Sequence, residues 1–130
     1  LERLLQIAAQ MEVRVVEGEL PGRRRGMYSH SRRLIVIREG LSYPRARSSL
    51  GHELGHAHYG HEPATNIVAH TRQERLADEW AAKVLINPVE YELTEAMYGP
   101  HIGVLANQLD VTPKMIRVWQ SLITHTTGAA

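Results

Sequence analysis

The sequence predicts an α+β fold: a small sheet of about three strands packed on a histidine-bearing helix, followed by a helical C-terminal half. Three observations carry that prediction. Before residue 40 the apolar residues fall in short, β-branched clusters separated by turn residues. Beyond it they recur at helical spacing. Between the two lies Gly51–His61, "GHELGHAHYGH", which holds four of the chain's eight histidines.

Taken in order, Leu4, Leu5, Ala8 and Met11 give Leu1–Met11 the period of a short amphipathic helix. From Glu12 to Glu19 the pattern changes to Val13, Val15 and Val16, ending at Pro21-Gly22, which predicts a strand and a turn. Gly26–His30 is expected to form a second short strand. The continuous apolar run Leu34–Ile37 reads as a buried third one. Ser42 is placed to cap a helix over Pro44–Tyr59, which ends near Gly60. His61–His70, with Pro63, is expected to be a loop, followed by a strong helix over Thr71–Ile86 that stops before Pro88. Val89–Met97 is a further helical pattern. Two more helices close the chain, the last with Thr112 as N-cap and Pro113 in its first turn. The tail from Thr124 to Ala130 lacks periodicity and is expected to fray.

A chain of 130 residues suits one domain, with 1–43 as helix and sheet, 44–86 as the histidine-bearing helix and its partner, and 87–125 as C-terminal helices. It contains no Phe, so the core must be built mainly from Leu, Ile, Val and Ala. A formal net charge of +1 gives no bulk signature for nucleic acid or an anionic membrane. The local run Arg23-Arg24-Arg25, followed by Arg32-Arg33, reads as a solvated loop. Without cysteine there is no disulfide, thiolate nucleophile or Cys-ligated zinc. No apolar run reaches membrane-spanning length, and the cytoplasm is the expected location.

The opening stretch contains His52-Glu53-Leu54-Gly55-His56, an HExxH motif. On a helix, positions i and i+4 share a face, so both imidazoles can aim at one zinc ion. Glu53 then stands beside the metal but outside its ligand set, placed to take a proton from the attacking water. Residue frequencies alone would produce such a pentapeptide roughly 0.04 times in a chain like this. A zinc that keeps one position open needs a third protein ligand. His58 lies on the wrong face, and His61 falls one residue short of the HExxHxxGxxH pattern. The better candidate is Glu74 in "QERLADEWAAKVLINP". Asp78, one turn on, can accept the remaining ring N–H of a ligating histidine. Ala77 and Ala81 are small enough to let this helix lie close to the motif helix.

With these features the chain resembles the ImmA/IrrE family of zinc-dependent endopeptidases. The resemblance spans most of the length, from the N-terminal helix and sheet through "LGHELGHAHYGH" and "QERLADEWAAKVLINP" to "LANQLDVTP". It implies a zincin-like fold, Zn2+ held by His52, His56 and Glu74, and Glu53 as catalytic base. It further implies a regulatory protease that cuts a helix-turn-helix repressor of a phage, mobile element or stress regulon. In zincins a peptide commonly pairs along an edge strand beside the metal. Gly26–Ser29 is the candidate edge here, with Met27, Tyr28 and His61 as candidate substrate-binding residues. Tyr28, His61 and Tyr91 are the candidates for stabilising an oxyanion.

Two other functions fit the same residues. One is a domain that binds a repressor and displaces it without cutting. The other is a DNA-binding regulator, because "LANQLDVTPKMIRVWQ" has the form of a helix-turn-helix with Lys114, Arg117 and Gln120 on its second helix. Packing of Leu105, Leu109, Ile116 and Trp119 accounts for that pattern equally well, so DNA binding and membrane association are not expected.

Overall fold

A computed structural model describes residues 1–128 and shows three strands and six helices. Helix α1 (Glu2–Gln10) buries Leu4 and Ala8 against the rest of the domain. The chain then enters β1 (Arg14–Gly18), β2 (Gly26–Ser29) and β3 (Leu34–Arg38). The sheet order is β1-β3-β2, with β1 parallel and β2 antiparallel to β3. Strand β2 is therefore an edge. The apolar run of β3 is not buried on both faces: Ile35 and Ile37 are buried, while Leu34 and Val36 are only half-buried. One face of the sheet takes a helix, which is why a period of two reappears inside a continuous apolar run.

That helix is α2 (Tyr43–Tyr59), with Pro44 in its first turn and Gly60 in the left-handed conformation that ends it. Ser42 occupies the N-cap position, but its side chain makes no capping hydrogen bond. Leu50 and Leu54 of α2 join Ile35 and Ile37 in the core. The other side of α2 packs on α3 (Ile67–Leu85), where Gly51 and Gly55 meet Leu85, Ala81 and Ala77.

Helix α3 begins at Ile67, four residues before the expected Thr71, so the loop expected to reach His70 ends sooner. The Asn66 side chain accepts a hydrogen bond from the Ala69 N–H and supplies the start signal. At its other end, α4 (Pro88–Tyr98) is capped by Asn87, which accepts from the N–H groups of Val89 and Glu90.

Helices α5 (Ile102–Leu109) and α6 (Pro113–Gly128) complete the fold. The helix α6 continues through residues 124–128, where fraying was expected; that segment holds no residue that breaks a helix before Gly128. Ala129 and Ala130 lie outside the described residues. Leu105, Leu109, Ile116 and Trp119 are all buried, so packing explains the helix-turn-helix pattern. This unit is tied to α2: Arg47 donates to the carbonyls of Leu85, Leu109 and Asp110, and the buried Ser48 hydroxyl accepts from the Thr112 N–H. Among the described residues no helix is long and apolar enough to cross a membrane.

Candidate metal centre

One helical turn separates His52 from His56 on α2, and their Nε2 atoms lie 3.1 Å apart. Helix α3 brings Glu74 to both: its Oε2 is 2.6 Å from His56 Nε2 and 3.3 Å from His52 Nε2. Donors around a tetrahedral zinc with bonds of 2.0–2.1 Å would be about 3.3 Å apart. The three atoms already stand close to that spacing. Two imidazoles and one carboxylate are also the donor chemistry that zinc accepts, with room for a further ligand. The residues present fit the ion.

Each histidine is held from behind. Asp78, one turn past Glu74, places Oδ1 2.7 Å from His52 Nδ1 and Oδ2 3.2 Å from Lys114 Nζ at the start of α6. His61 places Nδ1 2.9 Å from His56 Nδ1. With Asp78 accepting from His52 Nδ1–H and His61 accepting from His56 Nδ1–H, both Nε2 atoms are left free as ligands. His61 thus meets a candidate ligand histidine rather than standing as a fourth candidate. Burial, then the charge of His56, lowers its pKa and favours the neutral acceptor.

The charges are tightly coupled. Burial alone would depress the His52 pKa, but hydrogen bonds to Asp78 and Glu74 and the charge of Glu53 raise it to about 10. Hydrogen bonds from His52 and His56 hold the Glu74 carboxyl well below the usual carboxylate range. For Asp78, burial opposes ionisation, yet His52 and Lys114 keep its pKa below the ordinary value.

Glu53 points the other way around α2, towards the sheet, and is 8% exposed. Burial, foremost, raises its pKa, with His52 and His56 pulling against it. A carboxyl raised towards neutrality beside a metal site can both take and return a proton. The start of β2 lies against it: a Cβ on Gly26 would sit 3.0 Å from Glu53 Cγ. Gly26 leaves the room that lets the strand pass so close.

The site opens into a cleft of about 690 Å³ lined by β2, α2, α3, the 61–64 segment and the first turn of α6. Tyr28 and His61 line it, whereas Met27 does not. Gly26 and Tyr28 pair opposite the buried Ile37 and Ile35, and strand alternation sends Met27 to the other face. The Tyr28 hydroxyl is 2.8 Å from His30 Nδ1 and accepts from Arg33 Nη1 at 3.2 Å. Tyr91 is buried beside Trp119, its hydroxyl donating to Glu95 and accepting from Gln120, and does not line the cleft. His58 stacks on Trp80, away from the three donors.

Three residues that shape this site are not legible from the sequence in that role. Lys114 reads there only as a DNA contact, although it pairs with Asp78. His61 gives no sign of being the partner of His56. Nothing matches Gly55 to Ala77, although a Cβ there would meet the Ala77 carbonyl oxygen at 2.6 Å.

No curated protein matches the chain by sequence. A Mycobacterium tuberculosis transcriptional regulator of known structure has the same fold with a TM-score of 0.64 and 14% identity. The match covers 89% of this chain but spans only 40% of that protein. The family model for the M78 peptidases, described as the IrrE N-terminal-like domain, matches residues 8–118. That span takes in the sheet, both helices of the candidate metal site and most of the C-terminal pair, and the chain belongs to this metallopeptidase family.

Proposed function

We propose that the chain is a zinc-dependent endopeptidase, working in the cytoplasm on a protein substrate, a transcriptional repressor of a phage, mobile element or stress regulon. The observation that carries the peptidase reading is the convergence of His52, His56 and Glu74 beside a buried Glu53 and an edge strand. The repressor as substrate rests on the family resemblance. It is compatible with a structural neighbour that is a transcriptional regulator.

His52, His56 and Glu74 would hold the zinc, which when bound supplies Lewis acidity to a scissile carbonyl and acidifies water. The chain's own residues do the rest. The peptide lies extended along β2, whose outer edge pairs with no other strand among the described residues, and main-chain hydrogen bonds fix its register. Glu53 takes a proton from water at a side-chain oxygen as the water oxygen bonds to the carbonyl carbon. It returns the proton to the amide nitrogen as the C–N bond breaks. Asp78 and His61 hold the two imidazoles by Nδ1, which would leave both Nε2 atoms for the ion. Tyr28 and His61 are the groups on the cleft wall from which an oxyanion donor is to be sought.

The test is metal content together with digestion of purified helix-turn-helix repressors. About one zinc per chain, repressor cleavage, and a Glu53→Gln variant that keeps zinc but cuts nothing would support the reading. Repressor released from DNA equally well by native and Glu53→Gln protein, with no new termini, would replace it with displacement without cutting.

A further inference from the structure

The cleft has a basic wall, of which only Arg24 bears on the candidate metal centre, its charge lowering the pKa of Glu53. Arg23, Arg24 and Arg25 are exposed and all three line the cleft. Among the described residues none of their guanidiniums is in an ion pair. Of the four carboxylates that line the cleft, Glu74 is committed to both histidines and Asp78 to His52 and Lys114, Glu53 is buried, and only Glu62 is exposed on the wall.

An arginine run is ordinarily a solvated face. Here its backbone is fixed. Arg38 on β3 donates through Nε to the Arg24 carbonyl and through Nη2 to the carbonyls of Leu20 and Gly22. Its own N–H donates to the Arg25 carbonyl. One side chain therefore presents the three arginines from a set position instead of a loose loop.

Their place along the strand gives them a reach. Gly26, the first residue of β2, lies against Glu53, where the bond to be cut would sit. Arg25 and Arg24 precede it by one and two residues, about 3 to 7 Å along an extended chain. A peptide paired along β2 would pass its residues two or three from the scissile bond beside these guanidiniums.

We propose that the cleft selects acidic peptides, with an Asp or Glu two or three residues from the bond at the metal site held by Arg23, Arg24 and Arg25. The cutting step rests on the peptidase reading; the charge preference rests on the cleft wall alone. Arginine suits the task because its planar donors can meet a carboxylate in two parallel hydrogen bonds.

Binding and cutting are measured separately. Zinc-loaded Glu53→Gln protein is titrated with a short labelled peptide bearing two glutamates, and with its two-glutamine and two-lysine counterparts. The acidic peptide is expected to bind about fivefold or more tightly than the neutral one at low salt. That gap should close as the Debye length shrinks with added salt. It should also vanish when the three arginines are replaced by glutamine on the Glu53→Gln background. Equal affinity for all three peptides, or a preference that survives the arginine replacements, overturns the proposal. So does a preference for a random-sequence oligonucleotide that depends on the same arginines.

Native protein is then given a mixed peptide library. Cuts flanked by Asp or Glu support the proposal, and cuts without that enrichment overturn it. Selective acidic binding without any cut leaves the charge preference standing and removes the peptidase reading instead.

Discussion

Gly55 on α2 rests against the backbone of Ala77 on α3: a Cβ at this position would lie 2.6 Å from the Ala77 carbonyl oxygen and 2.8 Å from its Cα. The two helices that bring His56 and Glu74 together meet here with no side chain between them. Helix propensity favours Gly→Ala by about 1 kcal/mol. Packing opposes it, because an inserted methyl with no room costs about 1–3 kcal/mol and must push the helices apart. Packing wins, so Gly55→Ala is expected to be destabilised in denaturant unfolding and to hold less zinc than native protein. A variant of raised stability and full zinc content would show that the helices separate without cost.

Asp78 Oδ1 lies 2.7 Å from His52 Nδ1, on the side of the ring away from the candidate metal centre. Loss of such outer partners typically weakens metal binding about 10–100-fold. Asp78→Asn keeps the shape and an acceptor oxygen but removes the charge, and is expected to weaken zinc by about tenfold, with Asp78→Ala lower still. Glu74→Ala removes a donor and should lose most of the bound metal. Competition against a chelator of known affinity reads all three. An Asp78→Ala chain that binds zinc like the native one would leave His52 needing no partner.

Proton release follows from the same contacts. In the metal-free chain, burial lowers the His52 pKa, but Asp78, Glu74 and Glu53 outweigh it and raise it from 6.5 to about 10. The imidazolium thus stabilises the fold in full below about pH 6.5, and this contribution is lost as pH rises through about 10. Glu74, held well below its ordinary value by hydrogen bonds from His52 and His56, stabilises the fold above its unfolded pKa and loses that contribution as pH falls. Metal-free stability should therefore decline on both flanks. Zinc needs neutral imidazole, so binding near neutral pH should expel about one proton from His52. Calorimetry in buffers of different ionisation enthalpy measures that number, and a value of zero would mean His52 is already neutral.

What the sequence made legible here was local. His52 and His56, like Glu74 and Asp78, are paired by one turn of helix, and that geometry holds wherever the helix packs. The start of α3 is hidden because Ile67 and Val68 are apolar yet 74% and 77% exposed, so they contribute no buried stripe to the periodicity. Asn66 was the available signal. His61 reaches His56 only because Gly60, at a positive φ, turns the chain back on the helix end. Met27 and Tyr28 could not be separated without the register of β2 on β3. Lys114 meets Asp78 from 36 positions along the chain, a contact set by how α6 docks on α3.

That contact connects the helix-turn-helix-like pair to the candidate metal centre. Lys114 is on α6, its side chain 66% exposed, with Nζ 3.2 Å from Asp78 Oδ2. With its Lys114 end in solvent and Asp78 still paired with His52, the pair contributes at most about 1 kcal/mol, so Lys114→Met should leave unfolding nearly unchanged. Its effect should fall on zinc instead. Without the ammonium, Asp78 loses one of the two groups that fix its carboxylate, and zinc affinity should drop a few-fold, less than for Asp78→Asn. Lys114→Arg restores a cation and should recover most of the loss. A base-reading role for α6 makes the opposite forecast: Lys114→Met would leave zinc untouched and weaken DNA binding together with its salt dependence. Gln120, another of the would-be reading residues, already donates to the Tyr91 hydroxyl, and Lys114 faces the cleft. Zinc affinity is therefore the property expected to move.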